Sequence, residues 1–417
     1  MIPPGRHGVL PNHYLLRAVD EGIIDVGPSG LESSNIQPAS MDLRLGDCAY
    51  RMRCSFLAGN TDVETRISEL AIDRLDLTGD GAVLETNRPY LIPLQERLQL
   101  PPGIRGKANP KSSTGRVDVF TRVITDCSYR FDEIADGYIG ALYLEVVPLS
   151  FAVRVRRGLT LNQLRLAAGP RELSELSDAD IAELHCRQPL LYVDGRPVPE
   201  GGLTLSGGLF LSLDLRGDDG GRIGYSARES APLLDLTVPA PVASDPFWET
   251  VRREAVPGGR PASSIRPASS IRPASSIRPA SSIRADSPAP GRVVLSKKKF
   301  YLLMSKEAVV IAPGLASEMT AYDPTSGELR THYAGFFDPG FGYDPAGAFL
   351  GARAALEVRA HDVPFMIEDG QQVCKLTFER MLEEPTVLYG QGRKSNYQRQ
   401  TDSLGKYFIR GGAQAVE

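Results

Sequence analysis

The sequence predicts a mainly β protein made of two tandem copies of one barrel-like unit, with a few short helices. Three observations predict it. Apolar runs are short, alternate with polar residues and are punctuated by Gly and Pro, the pattern of strands joined by turns. A strand ending in Leu-Glu occurs twice, in YIGALYLE up to Glu145 and in ARAALE up to Glu357. Each copy is followed by a strand, a Gly turn (Gly158, Gly370), a nearby Gln (Gln163, and Gln371 or Gln372) and another strand. Finally, ASMDLRLGD of the first half is echoed by LFLSLDLRGD in the second. A repeat this long is a duplicated domain, since solenoid periods are far shorter.

Composition bounds the answer. With 417 residues, 42% hydrophobic and 24% charged, the chain reads as an ordinary soluble protein long enough for two domains. A formal net charge of -4 gives no blanket attraction to nucleic acid or to an anionic membrane. The five cysteines are odd in number and lack C-x-x-C spacing, so they read as reduced thiols of a cytoplasmic protein. No run is long enough to span a bilayer, and MIPPGRHGVLPNHYLL has no apolar core behind a basic start. Neither secretion nor membrane insertion is expected.

The elements follow in order, with residues 1–170 as the first unit, 171–190 as a linking helix and 191–417 as the second unit. Asn12 is placed to cap a short helix carrying Leu15, Leu16 and Val19, ended by Gly22. From Ile36 to Gly46, Met41, Leu43 and Leu45 alternate with Asp42 and Arg44, which predicts a half-buried strand. The stretch GKANPKSSTGRVDVF then sets Lys111, Ser112, Ser113 and Arg116 within six residues, with Gly115 allowing close backbone approach. Phosphate oxygens suit that mixture of hydroxyls and a forked guanidinium. It is not a Walker loop, and a polar surface turn competes with the phosphate reading.

SELSDADIAELH predicts the linking helix, and GLFLSLDLRGDDGGRIGY predicts alternating strands around a DDGG turn. Four copies of RPASSI, Arg260 to Ile283, cannot bury enough surface to order themselves, so 258–291 is expected as a disordered insertion in the second unit. Asp338-Pro339-Gly340 is a turn flanked by Phe336, Phe337 and Phe341, a hairpin able to show its backbone to a flat ring. Glu357 interrupts an apolar strand. It is either a desolvated carboxylate whose pKa rises toward the range useful for proton transfer or a residue on the wet face of an edge strand. The tail YGQGRKSNYQRQTDSLGKYF has the look of an arm able to close over a ligand.

The combination of IQPASMDLRLG, KSSTGR, FDPGF with its following Leu-Glu, the Gly-Gln strand pair and Tyr389…SNYQRQ resembles the dCTP deaminases of the dUTPase-like superfamily, in their long bacterial form. The likeness spans nearly the whole chain outside the RPASSI tract. It implies tandem duplicated dUTPase-like β-barrel (β-clip) units. By resemblance, the phosphate loop falls on Lys111, Ser112, Ser113 and Arg116, with Lys for the usual leading Arg. The hairpin that faces sugar and base falls on Asp338, Gly340 and Phe341. The catalytic Glu falls on Glu357 and, in the duplicate, on Glu145. The residues holding base and triphosphate fall on Tyr389, Asn396, Tyr397 and Gln400; Asn396 stands where Lys is usual, and Lys394 is the candidate to supply that charge.

Each unit departs from the pattern. The first has IADGY, with Ala135 where the hairpin Asp is expected; the second has TSGELR for its phosphate loop, keeping only Ser326 and Arg330. One composite site is therefore expected, with the loop of the first unit facing the hairpin and Glu357 of the second. The resemblance implies dCTP as substrate, dTTP as a candidate feedback inhibitor, a trimer-like homo-oligomer, and Mg2+ carried by the triphosphate. No zinc is expected, since H-x-E with P-C-x-x-C does not occur. Two other activities stay open: a dUTPase-type or bifunctional pyrophosphatase with Asp338 as the essential acid, and a nucleotide binder without turnover.

Overall fold

The computed structural model describes residues 5–254, 291–321, 329–331, 335–347, 350–360, 362–391 and 395–409. The RPASSI tract, Ser326 and Lys394 lie outside the described residues.

The duplication is visible as the same strand pairing made twice. In the first half, Ile139–Pro148 lies between Tyr90–Gln99 and Val119–Ile124, all antiparallel. In the second, Ala352–Ala360 lies between Phe300–Val309 and Leu329–Thr331. Likewise Thr160–Ala168 lies between Met41–Arg44 and Ile104–Pro110, and Gln372–Arg380 between Leu209–Ser212 and Leu315–Ala321. Each unit thus closes two antiparallel sheets around an apolar core, one centred on residues such as Leu43, Ile92 and Leu144, the other on Leu211, Leu303 and Leu356.

Helices are few and short. Asn12–Asp20 is amphipathic, and Asp178–Arg187 opens with a capping box in which Ser177 and Asp180 satisfy each other's backbone amides. Asn12 is not the cap expected: it is the first helical residue, and its amide donates to Thr386 Oγ1 (2.8 Å) and accepts from Thr386 N (2.9 Å), tying the helix to the second half.

Two further expectations are corrected. Met41–Arg44 is buried on both faces instead of half-buried. Its polar residues are neutralised inside: Arg44 Nε donates to Glu96 Oε1 at 2.6 Å, and Asp42 pairs with Lys111. Leu209–Ser212 and Arg222–Ala227 flank the DDGG turn but do not pair with each other; one joins a four-stranded sheet and the other a seven-stranded one. The segment between them is pinned instead by Asp218, whose Oδ1 accepts from Gly220 N (3.0 Å) and Arg222 N (2.9 Å).

The halves meet over a mixed boundary. Phe151 of the first packs edge-on against Phe247 and Trp248 of the second, with ring centroids 5.4 and 5.2 Å apart. Beside that apolar contact, Arg105–Glu379 (2.6 Å), Lys107–Glu318 (2.6 Å) and Arg165–Asp338 (3.0 Å) cross from basic strands to acidic ones.

Candidate active site

The stretch Lys111–Arg116 folds as one helical turn, Ser112–Gly115, with Thr114 N donating to Lys111 O (2.8 Å) and Thr114 Oγ1 to Leu161 O (2.8 Å). The first amides of such a turn have no preceding carbonyl to bond, so they are open to an acceptor from outside the turn. Ser112 is exposed and Ser113 buried. Lys111 Nζ is held by Asp42 and by Thr160 Oγ1 (2.9 Å), which fixes the cation at the rim.

The hairpin follows Gly335–Phe337. Gly340 has φ +95°, and a Cβ there would stand 2.7 Å from Leu388 Cβ, so only Gly permits the close approach of the carboxy-terminal arm. The arm returns the contact through Tyr389 N to Pro339 O (2.9 Å) and the Tyr389 ring against Phe341 (5.7 Å). Asp338 is buried, accepting from Arg165 Nη2 (3.0 Å) and Ser40 Oγ (3.2 Å). Burial raises its pKa, and Arg165 opposes the rise.

Glu357 sits on Ala352–Ala360, opposite Leu302, and is 5% exposed. Among the described residues its carboxylate makes no ion pair and no side-chain hydrogen bond. Burial pushes its pKa up to about 7, with Arg116 pulling the other way. Arg116 stacks on Tyr397 (3.8 Å to the ring centroid) and donates to Gln400 Oε1 at 2.6 Å, so the arm is clasped to the turn.

Together these groups line one cavity of about 150 Å³: Lys111, Ser112, Ser113 and Arg116 from the first unit, Asp338, Phe341 and Glu357 from the second, and Tyr389, Asn396, Tyr397 and Gln400 from the arm. Gly340 shapes the hairpin behind that wall. Polar lining residues outside the sequence candidates include Asp42, Gln37, Gln163 and Ser395. Asp42 was visible only as a polar residue in an apolar strand, and Gln163 only as part of the repeat.

Glu145 is placed elsewhere. Its strand register sets it opposite Arg122, whose Nε donates to Glu145 Oε1 (3.1 Å) while the guanidinium lies 3.8 Å over Phe131. Arg122 also reaches Ser55 Oγ (2.8 Å), and the helix Val63–Leu70 packs alongside, with Glu64 accepting from Tyr143 Oη (2.8 Å). The face of the first unit that matches the Glu357 side of the second is thus filled by its own side chains. Both ring nitrogens of His185 are engaged, with Val198 O (2.7 Å) and Leu190 N (3.1 Å). Among the described residues no three His, Cys, Asp or Glu side chains gather where they could hold a metal ion.

A duplicated, mainly β fold whose two units share one cavity, with a cationic hydroxyl-bearing turn beside a buried carboxylate, is the arrangement expected of the dUTPase-like class. Comparison with known proteins narrows this. The family models described as the 2'-deoxycytidine 5'-triphosphate deaminase (DCD) N-terminal and C-terminal domains match residues 6–170 and residues 177–257 with 282–408. A dCTP deaminase of Natronomonas pharaonis is 29% identical over 159 residues, 37% of this chain and 78% of that protein. The crystal structure of 2'-deoxycytidine 5'-triphosphate deaminase from Agrobacterium tumefaciens is 37% identical, with a TM-score of 0.74, covering 91% of this chain and 99% of that one. The chain belongs to the dCTP deaminase family, in its two-domain long form.

Proposed function

We propose that this dCTP deaminase converts dCTP to dUTP and ammonia at the cavity between its two units, with Glu357 moving the protons. The carrying observation is that Glu357 is a buried carboxylate, free of any ionic partner among the described residues, in the same cavity as the Lys111–Arg116 turn. A carboxyl poised near 7 can both accept and give a proton at working pH. In this reading Glu357 takes a proton from water as the water oxygen bonds to C4, and delivers it to the ring nitrogen N3. The remaining hydroxyl proton then passes to the exocyclic amine, the C4–N bond breaks, and a carbonyl is left. Lys111, Ser112, Ser113 and Arg116 grip the polyphosphate, and Tyr389, Asn396, Tyr397 and Gln400 close over it.

Asp338 as the activator of water at the α-phosphate is the weaker assignment, because the Arg165 guanidinium bonded to it opposes the proton uptake that a base needs. It serves better as an acceptor for the sugar. Mg2+ in this reading rides on the substrate's triphosphate, whose hard oxygen ligands suit it. On the same reading dTTP competes for the cavity, since a turn that grips phosphate does not tell pyrimidines apart. Work in the cytoplasm fits cysteines that are all free, and a trimer-like homo-oligomer is the expected assembly. No helix among the described residues is long and apolar enough to cross a membrane.

The test is incubation with dCTP and Mg2+ followed by ion exchange. dUTP with ammonia is the expected product; monophosphate with pyrophosphate, or unchanged dCTP, overturns the assignment.

A further inference from the structure

Three carboxylates line the cavity: Asp42, Asp338 and Glu357. Asp42 is drawn to the Lys111 turn through its Oδ2, and on the reading above Glu357 moves the protons. Asp338, on the hairpin with Phe341, is then the carboxylate set against the sugar, and deoxyribose in a triphosphate offers one hydroxyl, at the 3' position. An aspartate can do this only if its plane is fixed and its charge is kept, because a swinging or neutral carboxyl loses a charge-assisted acceptor.

What fixes it comes from the other unit. Arg165, on Thr160–Ala168, is 5% exposed. Its Nη2 donates to Asp338 Oδ1 (3.0 Å), its Nη1 donates to Ser317 O (3.1 Å), and its guanidinium lies 3.9 Å over the Phe336 ring. Phe336 and Ser317 sit on the paired strands that lead into the hairpin, Ser317 facing Phe337 in register. One planar fork therefore touches the carboxylate, the strand behind it and the ring two residues before it. Lys cannot reproduce that geometry, having a point charge and no plane to stack. Each carboxylate oxygen has two acceptor sites, so one bond from Arg165 and one from Ser40 still leave room for a ligand.

We propose that Arg165 is a positioning residue for substrate selection: it holds Asp338 as the acceptor of the 3'-hydroxyl and so sets the preference for dCTP over its 3'-deoxy analogue. This rests on Asp338 belonging to the site described above. Arg165 itself does not line the cavity, so it acts through the residues it holds there, Asp338 and the Phe336 ring.

The experiment measures kcat/KM for dCTP and for 2',3'-dideoxycytidine triphosphate in the full-length enzyme, its R165Q and R165K variants, and D338N. The wild type is expected to favour dCTP, and both Arg165 variants to lose about tenfold or more of that preference, the worth of one charge-assisted hydrogen bond. The loss should fall on dCTP, with the dideoxy substrate nearly unchanged. A variant that is merely less well folded slows both substrates in proportion, leaves the ratio intact and overturns the proposal. If R165Q does not fold, R165K decides alone. A ratio untouched in D338N means that Asp338 is not the sugar acceptor, so the site assignment fails. A ratio lost in D338N but kept in both Arg165 variants sinks only the role of Arg165.

Discussion

Glu357 and Glu145 occupy equivalent strand positions, yet only one of them faces the shared cavity. The difference is the cross-strand neighbour: Arg122 lies opposite Glu145 and neutralises it, whereas Glu357 has no ion-pair partner among the described residues. Glu357→Gln is therefore expected to remove deamination, by at least about a thousandfold in kcat, with dCTP binding nearly kept. Product formation and isothermal titration read the two. The same variant carries a pH signature. Because burial raises the Glu357 pKa from 4.5 to about 7, the wild-type fold favours the protonated carboxyl. That contribution is intact below 4.5 and is lost as pH rises through 7, so the ionised group destabilises the alkaline protein by at most about 3 kcal/mol. Glu357→Gln should accordingly unfold at a higher temperature than wild type at pH 8 and show no such advantage at pH 4. Glu145→Gln should keep deaminating. Glu145→Ala should instead cost stability, about 3 kcal/mol, since it leaves Arg122 packed on Phe131 without its counter-charge. Chemical denaturation measures this. At this scale the sequence was partly legible: a Glu inside an apolar strand signals burial. Arg165 was not, because in LNQLRL it falls where alternation expects a solvent-facing residue, and the second unit covers that face.

The elements that matter most are the hairpin and the carboxy-terminal arm, which interlock through backbone and one side chain. Gln398 Nε2 donates to Gly340 O (2.8 Å) and Tyr343 O (3.2 Å), and its Oε1 accepts from Gly342 N (3.1 Å). Gly390, at φ +80°, makes room for that side chain, since a Cβ there would lie 2.7 Å from it. Gln398→Ala should thus loosen Asn396, Tyr397 and Gln400 together. At about 1 kcal/mol for each lost hydrogen bond, KM for dCTP is expected to rise about tenfold or more, with a smaller change in kcat. The freed arm should also become sensitive to limited proteolysis, a readout that an intact arm does not give. The arm and hairpin were legible from their Gly, Pro and Tyr content, because turn chemistry is local. The partners of Leu209–Ser212 were not: its neighbour Gln372–Arg380 lies far along the chain, and no local pattern encodes a pairing of that separation. Nor did the sequence reveal that helix Val63–Leu70 would pack beside the Glu145 face, since its periodicity speaks of an apolar stripe without saying what it covers.

For the whole molecule, duplication followed by divergence has given the halves opposite charge at their boundary. Arg105, Lys107 and Arg165 of the first unit meet Glu379, Glu318 and Asp338 of the second, while Arg359–Asp118 runs the other way. Such pairs add little net stability but penalise wrong docking, because a misplaced unit would bury a charge unpaired. They therefore hold the Lys111–Arg116 turn and the buried carboxylate of Glu357 in one register within a single chain. That arrangement makes a prediction that a site shared between chains would not. On the proposed function Arg116→Ala lacks the phosphate grip and Glu357→Gln lacks the base, yet each keeps the half that the other has lost. If the site were built between neighbouring chains, co-expressing the two variants would pair the intact Arg116 of one with the intact Glu357 of the other and restore a fraction of activity. With both residues lining one cavity of one chain, every cavity in the mixture carries one defect. Purified mixed assemblies, with the variants carrying different affinity tags, should consequently stay as inactive as the two variants separately, and recovery of deamination would relocate the site to an interface between chains.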